Sequence, residues 1–344
     1  MTSRRQQSRG NRKVRSFVIR NTLRRMLEDQ CLDRAAGLSF FGLLSAAPAI
    51  LALVSLLGVV GEAEPTAEAV LSLAHDVSPE ATSAIRPIVT ELVEAPSAGV
   101  TLIGSLLVAI WSASKYVGAF SRAMNQVYRV EEGRPFWKLK PLTLLITVVL
   151  VTLLAALGML LVLSGPVAKS LGGLIGMGET ALLIWNAARW PVFILVIIVL
   201  LAVLYYVTPN VRQPKFRWVS VGALIALLTL LVVSAGFVFY INHFNSFNAT
   251  YGSIGGVIVG LVWVWMVNLS LLLGAEFDAE FERGRQLRAG IAAEETIRLP
   301  LRDARQIRRA RKKRAEVVDE GRALRQTFSD QGPQPFADRP DVED

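Results

Sequence analysis

The side chains able to do chemistry in this chain are few and scattered. It has two histidines, His75 and His243, and one cysteine, Cys31. One cysteine excludes an intramolecular disulfide and a cysteine-based zinc site, and two histidines exclude a histidine-rich metal centre. No P-loop, HExxH or GxSxG run is present, so nucleotide-driven pumping, zinc proteolysis and serine-hydrolase chemistry lack their residues. The sequence therefore supports no catalytic residue, no metal ligand, no cofactor and no enzymatic activity.

What remains are polar residues embedded in long apolar runs. Such residues are costly in lipid and normally face a bundle interior or a cavity. The first run carries Ser39 and Ser45, with Pro48 in mid-run. Proline removes one backbone hydrogen bond and can kink a helix, which shapes a cavity or only a packing contact. Trp111-Ser112-Ala113-Ser114-Lys115 closes the second run, where Lys115 can snorkel to the interface. Ser105, Ala109 and Ala113 recur every four residues, a small-residue face suited to close packing. The sixth run opens Tyr251-Gly252-Ser253-Ile254-Gly255-Gly256, and Gly252, Gly256 and Gly260 repeat the same spacing. Gly-rich backbone of this kind packs closely or lines a ligand. Asn268 and Ser270 sit deeper in that run. Beyond them, Glu276, Glu280 and Arg283 share one helical face at i, i+4, i+7. They read either as an interfacial ion-pair cluster or as a proton or cation site at a cavity mouth.

The elements that must position these residues are membrane spans. The chain has 344 residues, 52% of them hydrophobic, and 19% charged residues against roughly a quarter in soluble domains. Charge gathers in the tails and short loops. Six segments are apolar on all faces for about 20 residues or more: 35–60, 99–120, 141–164, 181–207, 219–241 and 254–275. Lysine and arginine in the intervening segments, from the N-terminus onward, number 10, 1, 5, 1, 3, 0 and 15. That alternation at every crossing predicts six spans with both ends in the cytoplasm. It also accounts for the net charge of +9, which otherwise would suggest nucleic acid as a partner. No nucleic acid is expected.

The sequence thus predicts an all-α, polytopic membrane bundle flanked by tails. Residues 1–13 read as a disordered basic tail. Residues 14–34 read as an amphipathic helix on the inner leaflet, its arginines on anionic lipid headgroups. Residues 35–280 form the spanning domain. Its outer loop, 61–98, is acidic and carries two helical patterns split by Ser78-Pro79-Glu80, an N-cap followed by proline, which predicts an outer helical hairpin. Residues 281–344 form a cytoplasmic tail, basic then acidic, helix-prone near 302–314 and partly disordered.

Three runs carry a family resemblance. Ala35-Ala36-Gly37-Leu38-Ser39-Phe40-Phe41-Gly42-Leu43-Leu44-Ser45-Ala46-Ala47-Pro48 resembles the first-span signature of the YihY/virulence factor BrkB family. Trp111-Ser112-Ala113-Ser114, followed by Ala123-Met124-Asn125-Gln126-Val127-Tyr128, is similar to its second. Tyr251 through Gly256, with Leu273-Gly274-Ala275-Glu276-Phe277-Asp278-Ala279-Glu280, resembles its last. The match covers roughly 15–285. It implies an all-helical inner-membrane protein of six spans. Members are linked to serum resistance, ion or solute movement and lipid export, and some bear a ribonuclease label. This sequence lacks the histidine–carboxylate cluster that a metal-dependent nuclease needs.

Two functional expectations follow. One is a transporter or exporter of a small solute, ion or lipid. The other is a non-transporting membrane scaffold or envelope-assembly factor. The small-residue faces would serve a homo-oligomer or internal packing equally well.

Overall fold

A computed structural model describes residues 2–59, 98–162, 179–213, 220–243 and 253–329, with the isolated positions 68, 71–72, 82, 86–87 and 90. Among the described residues eight α-helices follow in order: α1 Thr2–Glu28, α2 Cys31–Val59, α3 Ala98–Val127, α4 Phe136–Val162, α5 Glu179–Ala202, α6 Val221–His243, α7 Ser253–Arg288 and α8 Arg305–Ser329. The end of α5 widens into a π-helical turn, Val203–Val207. Among the described residues there is no strand, only one antiparallel bridge between Val211 and Leu301. Helices are the outcome that lipid demands, because each backbone N–H and C=O must find its partner within the segment.

Four helices among the described residues are long and apolar enough to cross a membrane: Phe136–Leu160, Leu183–Val207, Val221–Ile241 and Val257–Arg288. They fall on the third to sixth expected spans. The first two expected spans fall on α2 and α3, which are 29 and 30 residues long. Many of their side chains, including those of 46–59 and 98–103, lie outside the described residues. The crossing helices bury little of themselves. Val221–Ile241 has a mean hydropathy of 2.6 and is only 6% buried, leaving Leu228, Leu231, Val232 and Phe239 exposed. In water such a surface would aggregate; in a bilayer it is the lipid face.

The core sits at one end. The starts of α2, α4 and α6 meet the ends of α3, α5 and α7 there, around Cys31, Ala35, Phe120, Met124, Tyr205, Leu272 and Ala275. The helix α6 crosses α7 at a glycine pair. A Cβ on Gly222 would strike the Gly274 carbonyl, and one on Gly274 would strike the Gly222 carbonyl. Close approach was expected instead at Gly252, Gly256 and Gly260. Gly252 lies outside the described residues, and a Cβ on Gly260 would meet nothing among the described residues.

The N-terminal region also departs from expectation. The helix α1 starts at Thr2 rather than near residue 14, and it ends at Glu28 rather than 34. Gln30, with φ 52°, makes the turn into α2. One apolar face of α1 is not in lipid. Val18 is buried against α7, in contact distance of Gly284, and the Arg283 guanidinium lies over the Phe17 ring at 5.4 Å. A second face remains open, where Ile19, Leu23 and Leu27 are exposed beside Arg20 and Arg24. The predicted outer hairpin falls outside the described residues apart from isolated helical positions.

Candidate functional site

One face of α7 carries a polar seam. Asn268 is the deeper end. It accepts a hydrogen bond from Tyr116 Oη at 2.8 Å and donates to Ser39 Oγ at 3.2 Å, joining α3, α7 and α2. Eight residues later, about 12 Å along the axis, Glu276 is 1% exposed. Cys31 Sγ donates to its Oε1 at 3.6 Å, and Asp29 is a further neighbouring carboxyl. One turn on, Glu280 pairs with Arg283 at 3.1 Å and with Arg25 at 3.6 Å. Arg283 also donates to the carbonyls of Ala293 and Glu294, which ties the chain after α7 back onto the bundle.

The acids of the seam are unevenly paired: Glu280 meets two arginines, and Glu276 meets none among the described residues. Gln126 and Arg129 both reach Asp29 Oδ1, at 3.1 and 3.8 Å. Among the described residues, Asp29 Oδ2 and Arg189 Nε are the buried side-chain atoms without a hydrogen-bond partner, and Asp29 lies in hydrogen-bonding reach of the Glu276 carboxyl, so one proton shared by the two acids would pair them. Buried polar atoms are usually paired, so an orphaned carboxylate oxygen beside a second buried carboxyl is the site's most unusual feature.

A second polar cluster lies at the same end and is saturated with partners. The Arg134 side chain grips Glu132 with two hydrogen bonds, at 2.7 and 2.6 Å, and donates to Ser121 Oγ and the Thr208 carbonyl. Asn125 donates to Glu132 at 3.0 Å and accepts from the Asn210 backbone N–H at 2.8 Å. Asn210 exchanges side-chain hydrogen bonds with the Asp303 backbone. This latch joins α3, the α3–α4 turn, the end of α5 and the segment before α8. Burial raises the Glu132 carboxyl, but the hydrogen bonds and charge of Arg134, with help from Asn125, outweigh it and hold it below the usual glutamate range.

The virulence factor BrkB family profile matches residues 22–296, four-fifths of the molecule. The chain belongs to the virulence factor BrkB family. It is 30% identical to the ribonuclease-like protein YfkH of Bacillus subtilis (strain 168) over 257 residues, covering 74% of this chain and 91% of that one. It is 26% identical to a UPF0761 membrane protein of Alkalilimnicola ehrlichii over 295 residues, 81% of this chain and 61% of the relative. A UPF0761 membrane protein of Alteromonas mediterranea is 27% identical over 272 residues, 74% and 84% of the two chains. No solved structure matches. This BrkB-family chain is thus a multi-pass membrane protein, and α8 lies wholly outside the family match.

The sequence-selected residues of this BrkB-family protein fall into three groups. Ser39, Asn268, Glu276 and Glu280 come together along the seam. Asn125 belongs to the latch instead. Ser112 is buried, while Trp111 turns outward, 60% exposed, with the Lys115 ammonium over its ring at 4.7 Å. Ser45 is spent locally on the Gly42 carbonyl at 2.8 Å. Pro48 and Gly256 lie within α2 and α7 with undescribed surroundings, and Tyr251 and Gly252 lie outside the described residues. Glu276, Glu280 and Arg283 share one face as expected from their spacing, and all three are buried in protein. Sequence reasoning missed Tyr116, Asp29, Arg134, Glu132 and Asn210. Asp29 and Asn210 each stand at a turn next to a helix end, where a small polar residue normally reads as punctuation.

Proposed function

We propose that this BrkB-family protein is a plasma-membrane transporter or exporter of a small solute, ion or lipid, with both termini in the cytoplasm. The polar seam carries this reading. An apolar bundle has no packing need for Tyr116, Asn268 and Ser39 at depth, nor for Glu276 and Asp29 buried side by side below them. The seam leads from mid-bundle to the end where the basic loops gather. That gathering, with the alternating basic counts, supports the orientation. The open face of α1, with Ile19, Leu23 and Leu27 beside Arg20 and Arg24, suits contact with anionic headgroups.

The test is flux from proteoliposomes holding the purified full chain, run against inorganic ions, small organic solutes and fluorescent phospholipids. Transport of at least one class is expected, with Asn268→Leu and Glu276→Gln each lowering the rate about tenfold, the scale of one lost hydrogen bond to a charged or polar group. No flux above empty vesicles across the panel overturns the reading.

The second reading, a scaffold or envelope-assembly factor, draws on the latch, which fixes four chain segments without lining a path. A ribonuclease role is not carried over from the name of YfkH. Among the described residues, no three His, Cys, Asp or Glu side chains come together as metal ligands.

A further inference from the structure

The pair formed by Asp29 and Glu276 is short of one positive charge. Both residues are buried, at 3% and 1% exposure, and each lies within hydrogen-bonding reach of the other. Two buried carboxyls that close do not both stay ionised unless a cation serves each. The charged groups around them are already engaged. From the end of α3, Arg129 comes within 3.8 Å of Asp29 Oδ1 and shares itself with Glu28. From α2, Arg34 Nε donates to the Asp29 backbone carbonyl at 2.8 Å. From α1 and α7, Arg25 and Arg283 close on Glu280. The other titratable neighbours, Cys31 and Tyr128, bring no positive charge. Asp29 therefore has a cation and Glu276 has none.

A proton on Glu276 removes the shortage. Gln126 and Arg129 hold Asp29 Oδ1, and Cys31 Sγ–H donates to Glu276 Oε1. A Glu276 O–H donating to Asp29 Oδ2 then supplies the one buried oxygen of the pair that lacks a partner. A metal ion suits the place less well. Calcium takes six or more oxygen ligands, and among the described residues no three His, Cys, Asp or Glu side chains come together as metal ligands. The way in has the same size limit. A crevice lined by Arg25, Arg129, Glu280 and Arg283 opens on the seam one turn beyond Glu276, about 6 Å along the axis. It holds about 10 Å³, the space of a single water. That admits a proton relay and excludes a hydrated cation.

We propose that Asp29 and Glu276 hold one proton between them, that it exchanges with water through this crevice, and that it is the ion coupled to transport. Only the last of these steps rests on the transport reading. Loading forms one O–H bond on Glu276 with a proton taken from water, and unloading returns that proton to water. No electrons move and no other reactant is needed.

Infrared spectra of the full chain in detergent read the proton directly. Near neutral pH the parent should show the C=O band of a protonated carboxyl, shifted by exchange into heavy water. Glu276→Gln should remove the band, because Asp29 keeps Arg129 and stays ionised. Glu132→Gln should leave it in place, since Arg134 already holds Glu132 ionised. A parent without the band, or a band that survives Glu276→Gln, overturns the proposal whatever the flux. Proteoliposomes read the coupling, with the same panel of inorganic ions, small organic solutes and fluorescent phospholipids. For the class that moves, a pH gradient of about one unit should sustain a concentration ratio of up to about tenfold, the limit for one proton. A protonophore should collapse it. The residual flux of Glu276→Gln should run down its own gradient and ignore pH. Parent flux that ignores the pH gradient overturns the proposal and leaves the transport reading standing, whereas no flux in any class overturns both.

Discussion

The seam on α7 and the latch around Arg134 lie at the same end of the bundle and are both buried, yet they are satisfied to different degrees. In the latch, Arg134, Asn125 and Asn210 each spend their polar atoms on named partners. In the seam the cations are unevenly shared: Glu280 meets both Arg25 and Arg283, Asp29 meets Arg129 only at 3.8 Å, Glu276 has no cation in salt-bridge reach among the described residues, and Asp29 Oδ2 has no hydrogen-bond partner among them. A saturated network rigidifies what it joins. A network with one buried acid left without a cation keeps a stake in something it does not contain, such as a proton or a passing cation. The difference separates a structural cluster from a functional one more sharply than burial does.

The largest effect should come from the latch. Arg134→Met keeps the length of the side chain and removes all its donors, leaving Glu132 without its main partner and the Thr208 carbonyl with Ser121 Oγ alone. Breaking a buried pair from one side typically costs 3–5 kcal/mol. Glu132 is 26% exposed and can recover some water, so we expect about 3 kcal/mol, read as a lowered Tm of the full chain in detergent. A variant as stable as the parent would break the contrast, because the latch would then be ornamental.

Much of the frame was readable without coordinates, and the reason is physical. Lipid imposes helices and sets their length, so composition alone shows where α4 to α7 must lie. Ser39, Asn268 and Glu276 announced themselves as polar residues in apolar runs. Their partners did not. Tyr116 looks like any aromatic near a span end, and Asp29 like a turn residue. The Gly222–Gly274 crossing joins two isolated glycines on different helices, so no local spacing marks it, whereas the regular Gly252–Gly256–Gly260 series drew attention to itself. Local pattern reports on one helix at a time. The latch is assembled from four segments up to 182 residues apart, from Ser121 to Asp303, and its members are individually ordinary.

A smaller effect on stability should come from the seam. Glu276→Gln keeps the shape and an oxygen able to accept from Cys31, while it removes one of the two adjacent buried acids. Neutralising a buried charge among like charges is often neutral or stabilising, so the shift should stay within about 1 kcal/mol, in either direction. The same thermal melt that shows Arg134→Met unfolding early should show Glu276→Gln close to the parent. A loss as large as that of the latch variant would make the seam structural too and remove the main support for a conduit.

The smallest effect is a dependence on pH, and its sign follows from the latch. The Glu132 carboxyl is held below its ordinary value of 4.5 in the folded protein. A group depressed by folding contributes stability that is complete above the ordinary value and is lost as pH falls through the folded value. Asp303, held low chiefly by the hydrogen bonds of Arg305, acts in the same direction. Tm should therefore be level near neutrality and fall as pH drops below about 4.5. Glu132→Gln separates the two contributions. It lowers stability at neutral pH and leaves only the part due to Asp303 and the other carboxylates, so its melting curve should approach that of the parent as the pH is lowered. If the two curves instead stay parallel throughout, Glu132 carries no linkage, and the grip of Arg134 on it is weaker than two hydrogen bonds of 2.6 and 2.7 Å imply.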